Sequence, residues 1–322
     1  MDVDAGAGAP GPEVPGPSRH GGPRDDPSRP GGGGEAEVAA GTGGGAGSDE
    51  GAGQARLTIL GSGTLLPDDR RRSAAHYLEN RTSRLLLDCG PGTVHSLERF
   101  GIPWPELTHL VLSHYHTDHM GDLPGLLFAL EHGIRPPRTH PLVILGPTGL
   151  YRRFGHLAGA FGDHVLEPGF EVVLVELPAD ARWEPPGGGF VLSCHATPHT
   201  DHSLAYRWEA DGVAVGYTGD TGPSEEVAAF LAGCDVVVAE CAFEDPAAGD
   251  NHLAPATLAE MARVMDPALL LVTHVYPPLA PEEAARRVAA HGFGGRVEAA
   301  RDGTTVRLGA GGPELIPAGT RG

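Results

Sequence analysis

The chain contains no lysine: all 23 of its basic residues are arginine, set against 42 acids. We read the missing lysine as a mark of genomic base composition rather than of function. The four cysteines, Cys89, Cys194, Cys234 and Cys241, form no CxxC pair and no disulfide-like spacing. That suits a reducing compartment, so a cytoplasmic location is expected. No run approaches the roughly 20 apolar residues that a membrane span needs, so no membrane partner is expected. No helical-hairpin or leucine-rich repeat appears. Bulky side chains are scarce in residues 1–55, where 17 Gly and 7 Pro accompany only Val3, Val14 and Val38. Such a segment cannot bury enough apolar surface to offset its ordering entropy, and it is expected to be an inert, disordered tail. It also lacks the apolar core of about 7–15 residues and the cleavage site of a secretory signal.

Formal net charge is −19. The tail holds nine acids and three arginines, so most of the excess belongs to the body of the chain. Nucleic-acid binding is driven mainly by counterion release at Lys and Arg contacts. An acidic body counts against long RNA or DNA as a partner. It does not count against a small phosphate ester held by a metal.

Residues 56–311 are apolar-rich and long enough for one well-buried core, with 312–322 expected to be a flexible C-terminus. Alternation and β-branched runs predict strands at 57–60, 84–88, 109–113, 142–145, 171–177, 190–195, 205–209, 213–218, 235–240, 269–273 and 304–308. Helices are predicted at 93–100, 122–132, 147–160, 223–232, 255–265 and 281–291. Gly222-Pro223 followed by Glu225 and Glu226 makes a good helix start, with proline in the first turn. Coordinating residues recur at the carboxyl ends of apolar runs: Asp88 after LLL, His114 and His116 after LVLS, His199, Asp220, Glu240 and His274. In layered α/β proteins such strand ends converge on one edge, which predicts a single shared site.

The densest of these endings is LSHYHTDHMGDL, residues 112–123. In an extended loop, side chains at i and i+2 share a face, so His114 and His116 can reach one metal. Asp118 and His119 come just before Gly121 and Asp122 open the next helix, and can turn toward a second ion. Imidazole and carboxylate are standard Zn²⁺ ligands, and catalytic sites leave a position open for water. His76, His132, His140, His156, His164 and His291 lack partners at useful spacing and are expected to be surface or hydrogen-bonded histidines.

SHYHTDH resembles the signature of the metallo-β-lactamase superfamily, and the later motifs follow in that family's order from about residue 56 to 308. The resemblance implies a four-layer αββα sandwich with two divalent metal ions between the sheets, zinc first and manganese the alternative. It implies His114, His116 and His199 on the first metal and Asp118, His119 and His274 on the second, with Asp220 bridging. His202 is the alternative third histidine, because SCHATPHTDHS holds several; His199 is preferred for its spacing to Tyr206. Asp88 would orient the HxHxDH loop through hydrogen bonds. Two ions about 3.5–4 Å apart can hold a bridging hydroxide as nucleophile, which is general for hydrolysis and does not choose a substrate.

Two further segments resemble the ribonuclease Z-like branch. LGSGTLLPDDRRRSAAHYLE matches its opening, with a Gly-rich turn, a Pro…Arg loop and a Ser-containing second strand. AECAFEDPAAGDNHLAPATL matches a motif in which His252 would protonate the leaving oxygen and Glu240 would orient it. Ala239 stands where that motif usually begins with histidine. His252, Glu240 and Asp118 are thus the expected catalytic residues. One guanidinium among Arg70, Arg71 and Arg72 is expected to contact a substrate phosphate. Members that process transfer RNA carry a long arm between the third histidine and the bridging aspartate. Here His199 and Asp220 are only 21 positions apart, room for two strands and a turn at Asp211-Gly212. The resemblance therefore implies a two-metal hydrolase of small, cyclic phosphodiesters. The alternatives are ribonuclease Z-type RNA 3′ processing, hydrolysis of a lactone, thioester or aryl sulfate, and a non-catalytic metal-binding module. It also allows a homodimer. If the tail is inert, deleting residues 1–54 will leave kcat/KM for any substrate turned over the same, as measured in parallel initial-rate assays.

Overall fold

The computed structural model describes residues 55–245 and 249–316; the expected disordered tail lies outside the described residues. The first half of the chain lays down one sheet from β1 (Ala55–Gly61), β2 (Ala75–Glu79), β3 (Arg84–Leu87), β4 (His109–Val111), β5 (Leu142–Pro147) and β6 (Val172–Leu177). The second half forms another from β7 (Arg182–Trp183), β8 (Val191–Ala196), β9 (Leu204–Ala210), β10 (Val213–Tyr217), β11 (Val236–Glu240), β12 (Leu269–Thr273) and β13 (Arg296–Ala299). The chain then returns to the first sheet with β14 (Thr305–Leu308) and β15 (Glu314–Ile316), giving the orders β15-β14-β1-β2-β3-β4-β5-β6 and β13-β12-β11-β10-β9-β8-β7. From β3 to β6 and from β10 to β13 the pairings are parallel, so their carboxyl ends point the same way within each sheet.

The pleat explains the layering. On β11, Val236 and Val238 join a core between the sheets, while Val237 and Ala239 join the core on the outer face. Leu269 and Leu271 of β12 against Leu270 and Val272 repeat the division. Because both faces are covered, these strands read as continuous apolar runs rather than alternating ones. Helices α1 (Thr93–Arg99), α2 (Thr117–Met120), α3 (Leu123–His132) and α4 (Leu150–Phe161) precede the second sheet. Of these, α1, α3 and α4 cover the outside of the first sheet through Leu97, Leu126, Leu127, Leu130 and Phe154. The outside of the second sheet is covered by α5 (Glu225–Phe230), α6 (Pro255–Met265) and α7 (Pro281–Ala290). The result is the αββα sandwich expected from the sequence.

The differences from the sequence reading are local. β7, β13 and β15 are absent from the sequence reading, and β2 is expected from the resemblance of RRRSAAHYLE but not from alternation. β7 and β15 are edge strands of two and three residues, too short to show alternation, and β13 is a half-buried edge strand of four residues. β15 lies in the stretch expected to be a flexible C-terminus and pairs with β14. Asp118 and His119 sit in the helical turn α2, not in an extended loop. Pro223 stands outside α5, whose N-cap is Ser224 accepting from the Val227 amide at 3.1 Å. The turn between β9 and β10 is the expected Asp211-Gly212, with φ of 52° and 76°, the pair of left-handed residues that a two-residue hairpin needs.

Leu271 is fully buried between the sheets, whereas Val264 on α6 is 51% exposed. Replacing Leu271 by Ala should lower unfolding free energy by about 2–5 kcal/mol. The same truncation at Val264 should stay within about 0.5 kcal/mol. Urea titration of the two variants measures both.

Candidate metal centre

The carboxyl ends of β3, β4, β10, β11 and β12 bring the coordinating residues together. Asp88 follows β3 with φ of 58° and His274 follows β12 with φ of 56°, left-handed turns that swing each side chain back toward the gap between the sheets. Asp88 is fully buried and accepts four hydrogen bonds: from the Ser113 amide (2.7 Å), the Ser113 hydroxyl (2.7 Å), the Tyr217 hydroxyl (2.6 Å) and His119 Nδ1 (2.7 Å). Ser113 immediately precedes His114, so Asp88 sets both the backbone and one ring of the HxHxDH segment.

Two donor groups result. His114, His116, His199 and Asp220 form one; Asp118, His119 and His274 form the other. Within each, one ligand atom per residue lies within 4.8 Å of the rest. His199 belongs to the first group, and His202 to neither. Asp220 faces both: Oδ2 lies 3.8 Å from His114 Nε2 and 3.7 Å from His199 Nε2, as well as 3.4 Å from His274 Nε2. Its Oδ1 lies 3.3 Å from His119 Nε2.

Proton bookkeeping shows that these groups fit cations. His199 Nδ1 faces the Asn251 carbonyl at 2.9 Å and must carry its proton there, which leaves Nε2 a bare acceptor. His119 Nδ1 likewise donates to Asp88; burial would lower its pKa, but the charges of Asp220 and Asp88 prevail and raise it, so a metal ion at its Nε2 would take the place of a proton. The Ser113 hydroxyl donates its one proton to Asp88, so at 3.1 Å it accepts from His114 Nδ1, and His114 Nε2 is bare as well. His116 Nδ1 lies 3.0 Å from His114 Nε2 and 3.1 Å from His199 Nε2, and a single proton on it can serve only one of these two acceptors. The buried Nε2 atoms of His119 and His274 have no hydrogen-bond partner among the described residues. Lone pairs and carboxylates converging with too few donors are what a divalent ion satisfies. Burial holds His114 well below the usual histidine range and brings His274 down to about 4, so both favour the neutral, metal-binding form.

Glu240, at the end of β11, is also fully buried and accepts from the Thr221 amide (2.7 Å), His252 Nδ1 (2.8 Å), and the Ala242 and Leu253 amides (3.2 Å each). His252 lies over the cluster, its ring 4.7 Å from that of His199 and 6.0 Å from that of His274. Burial would lower the pKa of His252, but the hydrogen bond and charge of Glu240 prevail and raise it. Its Nε2 makes no hydrogen bond among the described residues.

The three arginines separate. Arg71 and Arg72 line a cleft of about 400 Å³ with Leu65, Leu66, Thr117 and Asp118. Arg70 is exposed and lines only another hollow, one that Arg71 also borders, beside Pro277 and Arg301. Arg71 Nε is held by Asp68 at 2.9 Å and Nη1 by the Val275 carbonyl at 2.9 Å; Arg72 Nη1 bonds the Asp68 carbonyl at 3.1 Å. His76 differs from expectation: it is fully buried on β2, edge-on to Tyr217 at 5.0 Å, with both nitrogens unpartnered among the described residues. Burial lowers it to about 4, so it is neutral. Tyr217, Ser113 and the Asn251 carbonyl were not singled out from the sequence. Tyr217 and Ser113 also stand at the ends of apolar runs, so the strand-end pattern could have found them, whereas a backbone carbonyl leaves no sequence signal.

Comparison with known proteins agrees with this geometry. A beta-lactamase superfamily domain model matches residues 83–275. Ribonuclease Z of Mycobacterium bovis is 28% identical over 274 residues, covering 76% of this chain and 95% of the relative. Among solved structures, the metallo-β-lactamase fold protein YhfI from Bacillus subtilis matches with a TM-score of 0.68 at 24% identity, over 80% of this chain and all of that one. The short form of human tRNase Z matches with a TM-score of 0.62 at 22% identity, over 82% of this chain and 99% of that one. Fold, donor groups and domain match coincide: the chain belongs to the beta-lactamase superfamily and is a metal-dependent hydrolase of the metallo-β-lactamase fold.

Proposed function

We propose that this hydrolase is a cytoplasmic phosphodiesterase of small, cyclic phosphodiesters, working with two divalent ions of which zinc is the expected species and manganese the alternative. His114, His116 and His199 would hold one ion, Asp118, His119 and His274 the other, and Asp220 would span them. When bound, the ions would supply Lewis acidity toward a phosphoryl oxygen and lower the pKa of the attacking water.

The observation that carries the reading is the Glu240–His252 pair. A phosphodiester with an alkoxide leaving group needs a proton delivered to that oxygen as the ester P–O bond breaks. His252 meets the need: Nδ1–H is fixed by Glu240, Nε2 is free, and the ring lies directly over His199 and His274. Glu240 is itself immobilised by three backbone amides, so the imidazole has one orientation. Asp118 borders the cleft and would accept the proton that the attacking water loses. Asp88 fixes the rings from behind and touches no substrate.

The hairpin supports a small substrate. β9, the Asp211-Gly212 turn and β10 occupy most of the segment between His199 and Asp220, leaving no arm there to grip a transfer RNA. The acidic body points the same way. A second reading, RNA 3′ processing, is favoured by the similarity to ribonuclease Z of Mycobacterium bovis. The zinc-loaded protein, given 2′,3′- and 3′,5′-cyclic nucleotides and a precursor tRNA with a 3′ trailer, separates the two. Hydrolysis of a cyclic nucleotide with the trailer intact is expected; trailer removal without cyclic hydrolysis would overturn the reading.

His252→Ala should lower kcat about 10²-fold or more on an alkyl phosphodiester but only a few-fold on bis-p-nitrophenyl phosphate, whose leaving group needs no proton. Equal losses would remove His252 from the acid role. Asp220→Ala should abolish turnover and reduce bound metal, measured by plasma emission, from two ions per chain to one or none. Retained activity would sink the spanning assignment.

A further inference from the structure

Beside the donor groups lies a wall of apolar and aromatic side chains that the roles above leave unused. Leu65 and Leu66 follow the Gly-rich turn after β1 and are 62% and 43% exposed. They line the cleft that reaches Thr117 and Asp118, together with Pro67 and Pro91. Two residues beyond His274, Tyr276 turns its phenol toward the Thr64 side chain and the Leu65 backbone. Its ring lies 5.5 Å from that of His274 and stacks on Phe243, with centroids 6.0 Å apart and planes at 29°. Phe243 in turn meets the His252 ring edge-on at 5.3 Å. Leu66, Leu65, Tyr276 and Phe243 thus form an arc from Asp118 to the imidazole of His252.

An exposed pair of leucines at the mouth of a charged centre is unfavourable in water unless something covers it during binding. The arginines beside it offer little to a second charged group. Arg71 is held by Asp68 and the Val275 carbonyl, and the methylenes of Arg72 lie over Gly92, where even a Cβ would come within 2.5 Å. The cleft is therefore suited to a flat apolar body more than to a second anion. We propose that this wall is the specificity subsite for the retained group of the ester, and that it selects a planar aromatic ring, aryl or nucleobase, over a small alkyl group. The ring would rest against Leu65 and Leu66 with an edge toward Tyr276, while the phosphate reaches the metals. This inference rests on the phosphodiester reading.

The test uses two esters with the same leaving group, phenyl p-nitrophenyl phosphate and methyl p-nitrophenyl phosphate, assayed with the zinc-loaded full chain. The wild-type protein should show a KM for the phenyl ester roughly tenfold or more below that for the methyl ester. In the double variant Leu65→Asn, Leu66→Asn the ratio of the two KM values should fall toward one, with two metals still bound. Leu65→Ala alone should give an intermediate ratio. Equal KM values in the wild type, or an undiminished ratio in the double variant, would overturn the subsite while leaving the phosphodiester reading intact, since both esters would still be turned over. No turnover of either ester by the two-metal wild type would bring down that reading and the subsite with it. Thymidine 5′-p-nitrophenyl phosphate, run alongside, tells whether the ring is read as a nucleobase or simply as an aryl face. A KM below that of the phenyl ester assigns a nucleobase, and a KM above it an aryl group; either supports the subsite.

Discussion

A single buried carboxylate ties the two halves of this molecule together. Asp88 leaves the first sheet in a left-handed conformation and accepts hydrogen bonds from Ser113 and His119 on its own side and from Tyr217 on the other. A buried carboxylate is tolerable only when it is well supplied with donors, and here the Ser113 amide reaches Oδ1 while the Ser113 hydroxyl, His119 and Tyr217 converge on Oδ2. The cost of withdrawing any of them would fall on the whole group, because the remaining carboxylate cannot reach water. The same four contacts decide which nitrogen of His119, and through Ser113 which nitrogen of His114, is stripped of its proton. Packing between the sheets and readiness for metal are therefore two outcomes of one hydrogen-bond assembly.

Glu240 repeats the arrangement on the second sheet with a different result. It is also buried and also has four donors, but three are backbone amides and the fourth is His252. Asp88 presents ring nitrogens to cations, whereas Glu240 presents one imidazole to the space above them. Parallel pairing makes this possible. β3 and β4 in one sheet, and β10, β11 and β12 in the other, end at the same edge, so residues from positions 88 to 274 meet without a long excursion of any loop.

Much of this was legible in the sequence because it depends on local composition. Apolar runs ending in His, Asp or Glu marked the strands that matter, and the HTDH cluster marked the donors. What stayed hidden depends on tertiary context. β2 shows no alternation in AHYLE and is legible only by resemblance, because burial on both faces and pairing with β1 and β3 hold it in the sheet. His76 looked like a surface residue because a histidine reads as polar; only the sandwich places it where neither nitrogen finds a partner. The helical turn at Asp118 was missed because four residues are too few for a periodic signal. The sorting of Arg70, Arg71 and Arg72 follows from the partners that Asp68 and the Val275 carbonyl provide, and the latter lies some 200 positions away. The sequence leaves the third histidine open between His199 and His202; in the structure His199 stands in the donor group and its Nδ1 faces the Asn251 carbonyl, a partner distant in sequence.

The return of the last strands to the first sheet has a consequence for how the chain can be made. β1 has β2 on one side and β14 on the other, and the Gly303 amide bonds the Ile59 carbonyl where the return begins. Until residues 303–308 leave the ribosome, β1 presents an open row of amides and carbonyls beside an apolar face, the template on which foreign strands add. Throughout the interval between β1 and β14 the edge stays open, although the HTDH segment has already emerged. His274 and the strand that closes the sheet follow each other closely in the chain, so the donor set is completed shortly before the open edge of β1 is covered.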